Sequence, residues 1–196
     1  GDVERKFWKD DFSVDSSSEY IINGNVSGWG TGAVTLDANG ESFYKSTSIP
    51  DGHVLRFRVK FSVIPFVDKF SMLYLGTDLK LRIHNTIYFA AGNGRPLHSG
   101  VLHGITTTDY ITIEVWVQNG LGYVNINGTP VLVGKDIGAR HINLVGAILN
   151  TTAYTIDVCE IACLPSISYS DDFSTDTVTG ANGRYQPVLG TVAYDD

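Results

Sequence analysis

The chain offers little with which to do covalent chemistry. It holds five glutamates, Glu4, Glu19, Glu41, Glu114 and Glu160, and five histidines, His53, His84, His98, His103 and His141. The histidines are scattered. His98 and His103 share the stretch His98-Ser99-Gly100-Val101-Leu102-His103, whose spacing is not that of a metalloenzyme helix. They read as solvated loop residues. No Gly-x-Ser-x-Gly elbow and no Walker-type phosphate loop occurs. The two cysteines, Cys159 and Cys163, lie four apart. An extended strand would separate them by about 13 Å, whereas a disulfide spans at most ~7 Å between Cα atoms. Two thiols alone do not complete a zinc site, so both read as small buried hydrophobes.

Binding chemistry is better represented. Sugars are held by flat aromatic faces with planar polar groups beside them. The row Tyr110, Thr112, Glu114, Trp116 and Gln118 has that composition, and Arg56, Arg58 and Lys60 form a second polar row. Trp116 beside an arginine would also make a cation–π contact. The expected glycan-contacting residues are therefore Trp116, Glu114, Tyr110, Gln118, Arg56 and Arg58, with Tyr88 and Tyr123 as secondary candidates. The competing reading is that a loop or a neighbouring subunit covers Trp116.

Strands must position these side chains. The chain has 19 Val, 16 Ile and 17 Thr against 5 Glu, 7 Lys, 10 Ala and 1 Met. β-branched residues favour strands, and good helix formers are scarce. Leu55, Phe57, Val59, Phe61 and Val63 alternate with Arg56, Arg58, Lys60 and Ser62. Ile111, Ile113, Val115 and Val117 alternate with the Tyr110 row. Such period-two alternation marks a strand with one buried and one wet face. Further strands are expected at Phe70–Leu75, Leu79–His84, Thr86–Ala90, Gly122–Ile126, Val131–Val133, Leu144–Leu149 and Tyr154–Ala162, with shorter ones at Ala33–Leu36 and Ser42–Lys45. Asn127-Gly128 supplies the positive φ values of a tight hairpin. Many short strands joined by such turns predict an all-β fold, a two-sheet antiparallel β-sandwich (jelly roll) with little or no helix.

Net charge is −7, which argues against nucleic acid and against a polybasic membrane-surface role. No apolar run approaches about 18 residues, so no membrane insertion is expected. One internal repeat is visible. Asp10-Asp11-Phe12-Ser13-Val14-Asp15-Ser16 returns as Asp171-Asp172-Phe173-Ser174-Thr175-Asp176-Thr177, with five of seven positions identical. The expected organisation is an N-terminal extension over 1–9, the sandwich over 10–168 and a C-terminal extension over 169–196 that repeats the entry motif. That extension is too short to bury a core of its own. Its Phe173, Tyr185 and Tyr194 are expected to make assembly contacts, by adding a strand to a neighbouring subunit. The alternatives are packing back on its own sandwich and the start of a second domain. Three Asn-x-Ser/Thr sequons, at Asn25, Asn127 and Asn150, matter only in a glycosylating host.

The order Asp11-Phe12, Gly28-Trp29-Gly30, Phe57 to Phe61, the Asn127-Gly128 hairpin and Ile156 to Ile161 resembles the concanavalin A-like lectin/glucanase superfamily in its laminin-G-like jelly-roll form. The resemblance runs from about Asp10 to about Pro165. It implies a module that binds glycans, hydrolyses β-glucans, or serves as a spacer or adhesion unit in secreted proteins and phage virions. Glucanases of the superfamily carry Glu-x-Asp-x-x-Glu on one strand, because hydrolysis needs a nucleophile and a general acid about the glycosidic bond. The stretch aligned with it here is Thr155-Ile156-Asp157-Val158-Cys159-Glu160. Thr155 takes the nucleophile position without a base to activate it, so the expectation is a chain that is not an enzyme. The resemblance also offers a structural Ca²⁺ held by Asp10, Asp11 and Asp157, against a solvated acidic turn. No other cofactor is expected. The function so expected is that of a structural or adhesive module at an extracellular, cell-surface or virion location, with itself, other structural proteins or a polysaccharide as partner. The alternatives are a secreted carbohydrate-binding module acting alone and a β-glucanase relative.

Overall fold

The structure, a computed structural model, describes residues 6–50, 52–149 and 154–163. In chain order the strands are β1 (Lys6–Asp10), β2 (Ile21–Asn23), β3 (Val34–Leu36), β4 (Ser42–Ser46), β5 (His53–Phe61), β6 (Ser71–Gly76) and β7 (Leu79–Ile83). There follow β8 (Thr86–Ala90), β9 (Val101–Leu102), β10 (Ile111–Gln118), β11 (Leu121–Ile126), β12 (Thr129–Asp136), β13 (Leu144–Leu149) and β14 (Tyr154–Cys163). Among the described residues the single helical element is the turn Ser17–Glu19. All pairings are antiparallel. The first sheet runs β1-β14-β5-β10-β11-β12, with β3 also on β14, and the second runs β2-β4-β13-β6-β7-β8-β9. The expected all-β sandwich is the fold observed.

Alternation explains why these segments pair as they do. In β5, Leu55, Phe57, Val59 and Phe61 are buried, while Arg56, Arg58 and Lys60 face outward. In β7, Leu79, Leu81 and Ile83 enter the same core from the opposite sheet, and Lys80 and Arg82 stay outside it. A slip of one residue would exchange these sets, so the core pins the register. Asn127 (φ 49°) and Gly128 (φ 77°) both adopt the left-handed region, as a two-residue hairpin between β11 and β12 requires. β5 ends at Phe61, and Ser62, Val63 and Ile64 are exposed ahead of Pro65, a residue that cannot donate to a ladder.

The start of the chain differs from its sequence reading. Residues 6–10 are not ahead of the sandwich: β1 pairs with β14, setting Lys9 opposite Glu160 and Asp10 opposite Cys159. Asp11-Phe12 is consequently a loop and not a strand. Asp10 Oδ1 accepts from the Phe12 N–H at 2.8 Å, and its Oδ2 accepts from the hydroxyls of Ser16 at 2.6 Å and Tyr20 at 2.8 Å. Phe12 takes φ 56°, unusual for a side chain of its size. Its ring is fully buried against Tyr20, Trp29 and Phe43, with centroids 6.4, 5.8 and 6.1 Å away. That packing and the three Asp10 bonds offset the backbone strain. Phe173, Tyr185 and Tyr194, with the whole expected C-terminal extension, lie outside the described residues.

Candidate functional site

The sandwich presents two outer faces. On the first sheet, β14, β5 and β10 lie side by side and place Glu160, Arg56 and Glu114 in one cross-strand row. Arg56 donates through Nε and Nη2 to Glu114 Oε2 at 3.1 and 3.0 Å, and through Nη1 to Glu160 Oε1 at 2.8 Å. A β-bulge between Ile156 and Val158 interrupts β14. Residues three apart on a regular strand face opposite ways, and the bulge brings Asp157 and Glu160 to one side. Asp157 Oδ2 lies 3.6 Å from Arg58 Nη1. Burial pushes the Asp157 carboxyl above its ordinary pKa, against the pull of Arg58. Arg58 sits 4.8 Å over the Tyr110 ring and Lys60 5.8 Å from it. A cavity of about 320 Å³ opens beside them, lined by Thr35, Lys60, Phe61, Ser62, Tyr110, Tyr154 and Thr155.

The structure thus gathers Arg56, Glu114, Arg58 and Tyr110 on one face. Gln118 stands exposed at the end of β10. Trp116 differs from expectation: it is 3% exposed, with its ring parallel to Tyr123 at 5.2 Å and 1°. That face of the indole is occupied by protein and not offered to a ligand.

Other expected sites take different roles. Asp10 commits both carboxylate oxygens to loop donors, and Asp11 Oδ1 accepts from both the N–H and the hydroxyl of Ser13. Among the described residues no three His, Cys, Asp or Glu are grouped to hold a metal ion, and Asp157 faces Arg58. The two loop histidines are not free loop side chains: both are tied to the main chain. His98 Nε2 accepts from the Phe89 N–H at 3.0 Å and its Nδ1–H donates to Ser99 O at 2.8 Å. Burial pushes its pKa down to about 4. His103 is buried, accepting from the Ile105 N–H at 2.8 Å through Nδ1 and donating through Nε2 to Pro65 O at 3.1 Å. Both brace loops. Cys159 is a buried free thiol, as its spacing predicted.

The second sheet carries a site that the sequence reading passed over. Tyr44 on β4 and Tyr74 on β6 both lie opposite Gly146 of β13. Their rings meet at 5.2 Å over this glycine, where a Cβ would run into the Tyr44 main chain. Lys80, opposite Tyr74 in the register, lies 5.5 Å from its ring and donates to Gly92 O at 2.9 Å. Arg82 packs 4.5 Å over Phe70 and donates to Gly94 O at 3.3 Å, while its Nε is enclosed without an acceptor. The His84 ring is stacked between Phe70 at 4.3 Å and Tyr88 at 5.9 Å, each at 15°. Burial, with Arg82 nearby, lowers the pKa of both Lys80 and His84. These side chains are part-exposed, and none of the strand residues described on this outer face is acidic. The signal was present in Leu79-Lys80-Leu81-Arg82-Ile83-His84, whose alternation puts three basic side chains on one side. Without the register, nothing brought Tyr44, Tyr74 and Tyr88 beside them.

The sandwich of two antiparallel sheets superposes on solved structures of very different sequence. No family model and no curated protein matches the chain. A protein of unknown function with a galectin-like fold from Bacillus subtilis superposes with TM-score 0.59 at 10% identity, over 82% of this chain and 98% of that one. A glycosyl hydrolase family 16 protein from Mycobacterium smegmatis gives TM-score 0.53 at 11% identity, over 80% and 100%. A beta-1,3-glucanase from Mycobacterium marinum gives 0.52 at 12%, over 80% and 98%. These likenesses show a β-sandwich jelly roll shared with a galectin-like protein and with family 16-type glycosyl hydrolases, and they do not single out the laminin-G-like form. The expectation that the chain is not an enzyme is corrected by these likenesses. Its fold is one that glycosyl hydrolases use, and the acidic side chains that the sequence left apart, Glu114 and Glu160, stand on two edges of Arg56.

Proposed function

We propose that this chain is a carbohydrate-binding β-sandwich that takes its glycan on the outer face of the second sheet, across Tyr44, Tyr74, Lys80, Arg82 and Tyr88. The observation that carries the reading is the gathering of three part-exposed tyrosines and two cations on one sheet. Aromatic faces stack on the apolar faces of sugar rings, and the flanking donors take hydroxyl oxygens. The galectin-like and glucanase-like architecture of the structural neighbours supports it. An extracellular or virion setting, and self-association through the C-terminal repeat, belong to the same reading and rest on the sequence resemblance and on the Asp10/Asp171 repeat.

A second reading, glycoside hydrolysis, is favoured by the Glu114–Arg56–Glu160 row and by the raised pKa of Asp157, since a general acid needs such a pKa. Affinity electrophoresis on a panel of soluble polysaccharides, with reducing-sugar release measured in parallel, separates the two. Glycan capture abolished by Tyr74→Ala and Tyr88→Ala but kept in Tyr110→Ala supports the first reading. Capture by the wild type that is indifferent to Tyr74 and Tyr88 removes it. Sugar release lost in Glu114→Gln, Glu160→Gln and Asp157→Asn supports the second.

A further inference from the structure

The charge on the second outer face is out of keeping with the rest of the molecule. The chain as a whole carries −7. Yet Lys80 and Arg82 stand two residues apart on β7, hence about 7 Å apart along one side. Among the described residues they have no carboxylate partner: their contacts are Gly92 O, Gly94 O and the rings of Tyr74 and Phe70. The loop that supplies those carbonyls, 91–97, also walls a cavity of about 520 Å³, lined by Asp78, Ala91, Asn93, Arg95, Pro96, Leu97 and Arg140. The carboxylate in that wall, Asp78, is already used. Its Oδ1 accepts from the Gly92 N–H at 3.1 Å and its Oδ2 from Arg140 Nε at 3.1 Å. Among the described residues, Lys80, Arg82, Arg95 and Arg140 therefore face one carboxylate, Asp78. The first sheet is arranged otherwise, with Arg56 and Arg58 each set against carboxylates of its own face.

Holding uncompensated cations half-buried and next to each other is costly, and the burial that lowers the Lys80 pKa is a sign of that cost. A neutral sugar would not repay it. A ligand bearing fixed negative charge would, through charge-assisted hydrogen bonds at a planar guanidinium and an ammonium. The tyrosines beside the cations supply the ring-stacking surface that a free anion would not need.

We propose that the second outer face selects an acidic glycan, a polysaccharide carrying carboxylate or sulfate groups, with Lys80 and Arg82 reading the charge and Tyr44, Tyr74 and Tyr88 the sugar rings. Arg95 and Arg140 extend the same positive field into the adjoining loop cavity. The inference rests on the glycan-binding reading and is narrower than it.

The test compares the full chain's affinity for dextran, polygalacturonate and dextran sulfate by affinity electrophoresis and calorimetry, with oligothymidylate as a polyanion without sugar acids. At least one acidic polysaccharide is expected to bind about tenfold or more tighter than dextran at low salt, an advantage that shrinks as salt rises. The tighter of the two names carboxylate or sulfate as the charged group. Lys80→Gln and Arg82→Gln should each lower that affinity about five- to tenfold, and Arg58→Gln on the opposite face should not. Circular dichroism confirms that each variant is folded. Equal affinity for dextran and the acidic chains overturns the charge selectivity and leaves the glycan reading standing. Oligothymidylate bound as tightly as the acidic polysaccharides overturns the glycan selectivity, and acidic binding that Lys80→Gln and Arg82→Gln leave unchanged overturns the site. No binding to any polysaccharide sinks both this inference and the reading beneath it.

Discussion

The two outer faces of the sandwich are built from the same pattern, a buried apolar side chain alternating with an outward polar one, and they use it differently. On the first sheet the outward arginines are closed by their neighbours. Arg56 spans Glu114 and Glu160, Arg58 meets Asp157, and Trp116 lies flat on Tyr123. On the second sheet Lys80 and Arg82 rest on rings and main-chain carbonyls, with no carboxylate beside them among the described residues. The first arrangement matches each arginine with acids; the second leaves its cations to rings and carbonyls. Polar composition along a strand therefore does not say whether a face is mortar or a binding surface. What decides it is the identity of the cross-strand neighbour, which only the register supplies.

The contrast breaks most sharply at Trp116. If its indole braces the first face, Trp116→Ala should cost about 3 kcal/mol of stability, the usual penalty for truncating a buried aromatic. Urea unfolding measures it. Glycan binding by the folded fraction should persist. A variant of wild-type stability that had lost binding would return Trp116 to the role its sequence position suggested.

Arg56→Ala comes next. It leaves Glu160, buried at 6% exposure, and Glu114 without the guanidinium that they share. An expected loss of about 2–3 kcal/mol follows from stranding carboxylates in a poorly solvated row. Arg56→Lys should recover part of it, since an ammonium keeps the charge but cannot present both edges of a guanidinium fork. A loss below about 0.5 kcal/mol would show that the row is solvated more than its geometry indicates.

Much of this contrast was legible beforehand, and its gaps have physical causes. β5, β7 and β10 follow the alternation closely, because each has one face in the common core, whereas β9 is not among the expected strands and β6 is buried along nearly its whole length. The Asn127-Gly128 hairpin was readable because two consecutive positive φ values leave few residue choices. β1 escaped notice because Lys6–Asp10 takes its place from pairing with β14, a partner about 150 residues away, and not from its own pattern. The Asp10-Asp11-Phe12 motif buries its Phe from a loop, which Asp10 hydrogen bonds hold, and nothing in its pattern announces that. The outward rows of β5 and β10 were read correctly as polar. Their partners were not, since the sequence cannot say that Trp116 lies opposite Tyr123 or that Glu114 and Glu160 share Arg56.

Acid should weaken the molecule through its loops. His98 is held neutral in the fold with its pKa pushed down to about 4, against an ordinary value near 6.5. Between those two values the unfolded chain binds the extra proton. The stability that His98 confers is therefore whole above about pH 6.5 and drains as pH falls toward 4. A decline on the order of 2 kcal/mol is expected in urea midpoints followed from pH 7 to 4.5. Asp157, raised by burial, acts in the opposite sense over the acidic range, so the histidine is isolated by comparison with His98→Gln. An equal decline in that variant would assign the acid sensitivity elsewhere.

The smallest expected effect is the most telling about the second face. Lys80→Ala removes an ammonium that burial already disfavours and that Arg82 repels, while sacrificing one bond to Gly92 O and the contact with the Tyr74 ring. These contributions oppose one another, so stability should change by less than about 0.5 kcal/mol in either direction. Arg56→Ala, an equally simple truncation on the other sheet, is expected to cost several times as much. The difference arises because Arg56 leaves carboxylates behind and Lys80 does not. If Lys80→Ala proved as destabilising as Arg56→Ala, Lys80 would be holding the loop at Gly92 in place and its charge would be a structural expense. If stability is unmoved while affinity for an acidic polysaccharide falls, the charge is kept for the ligand, and the two faces divide the work of the fold between cohesion and recognition.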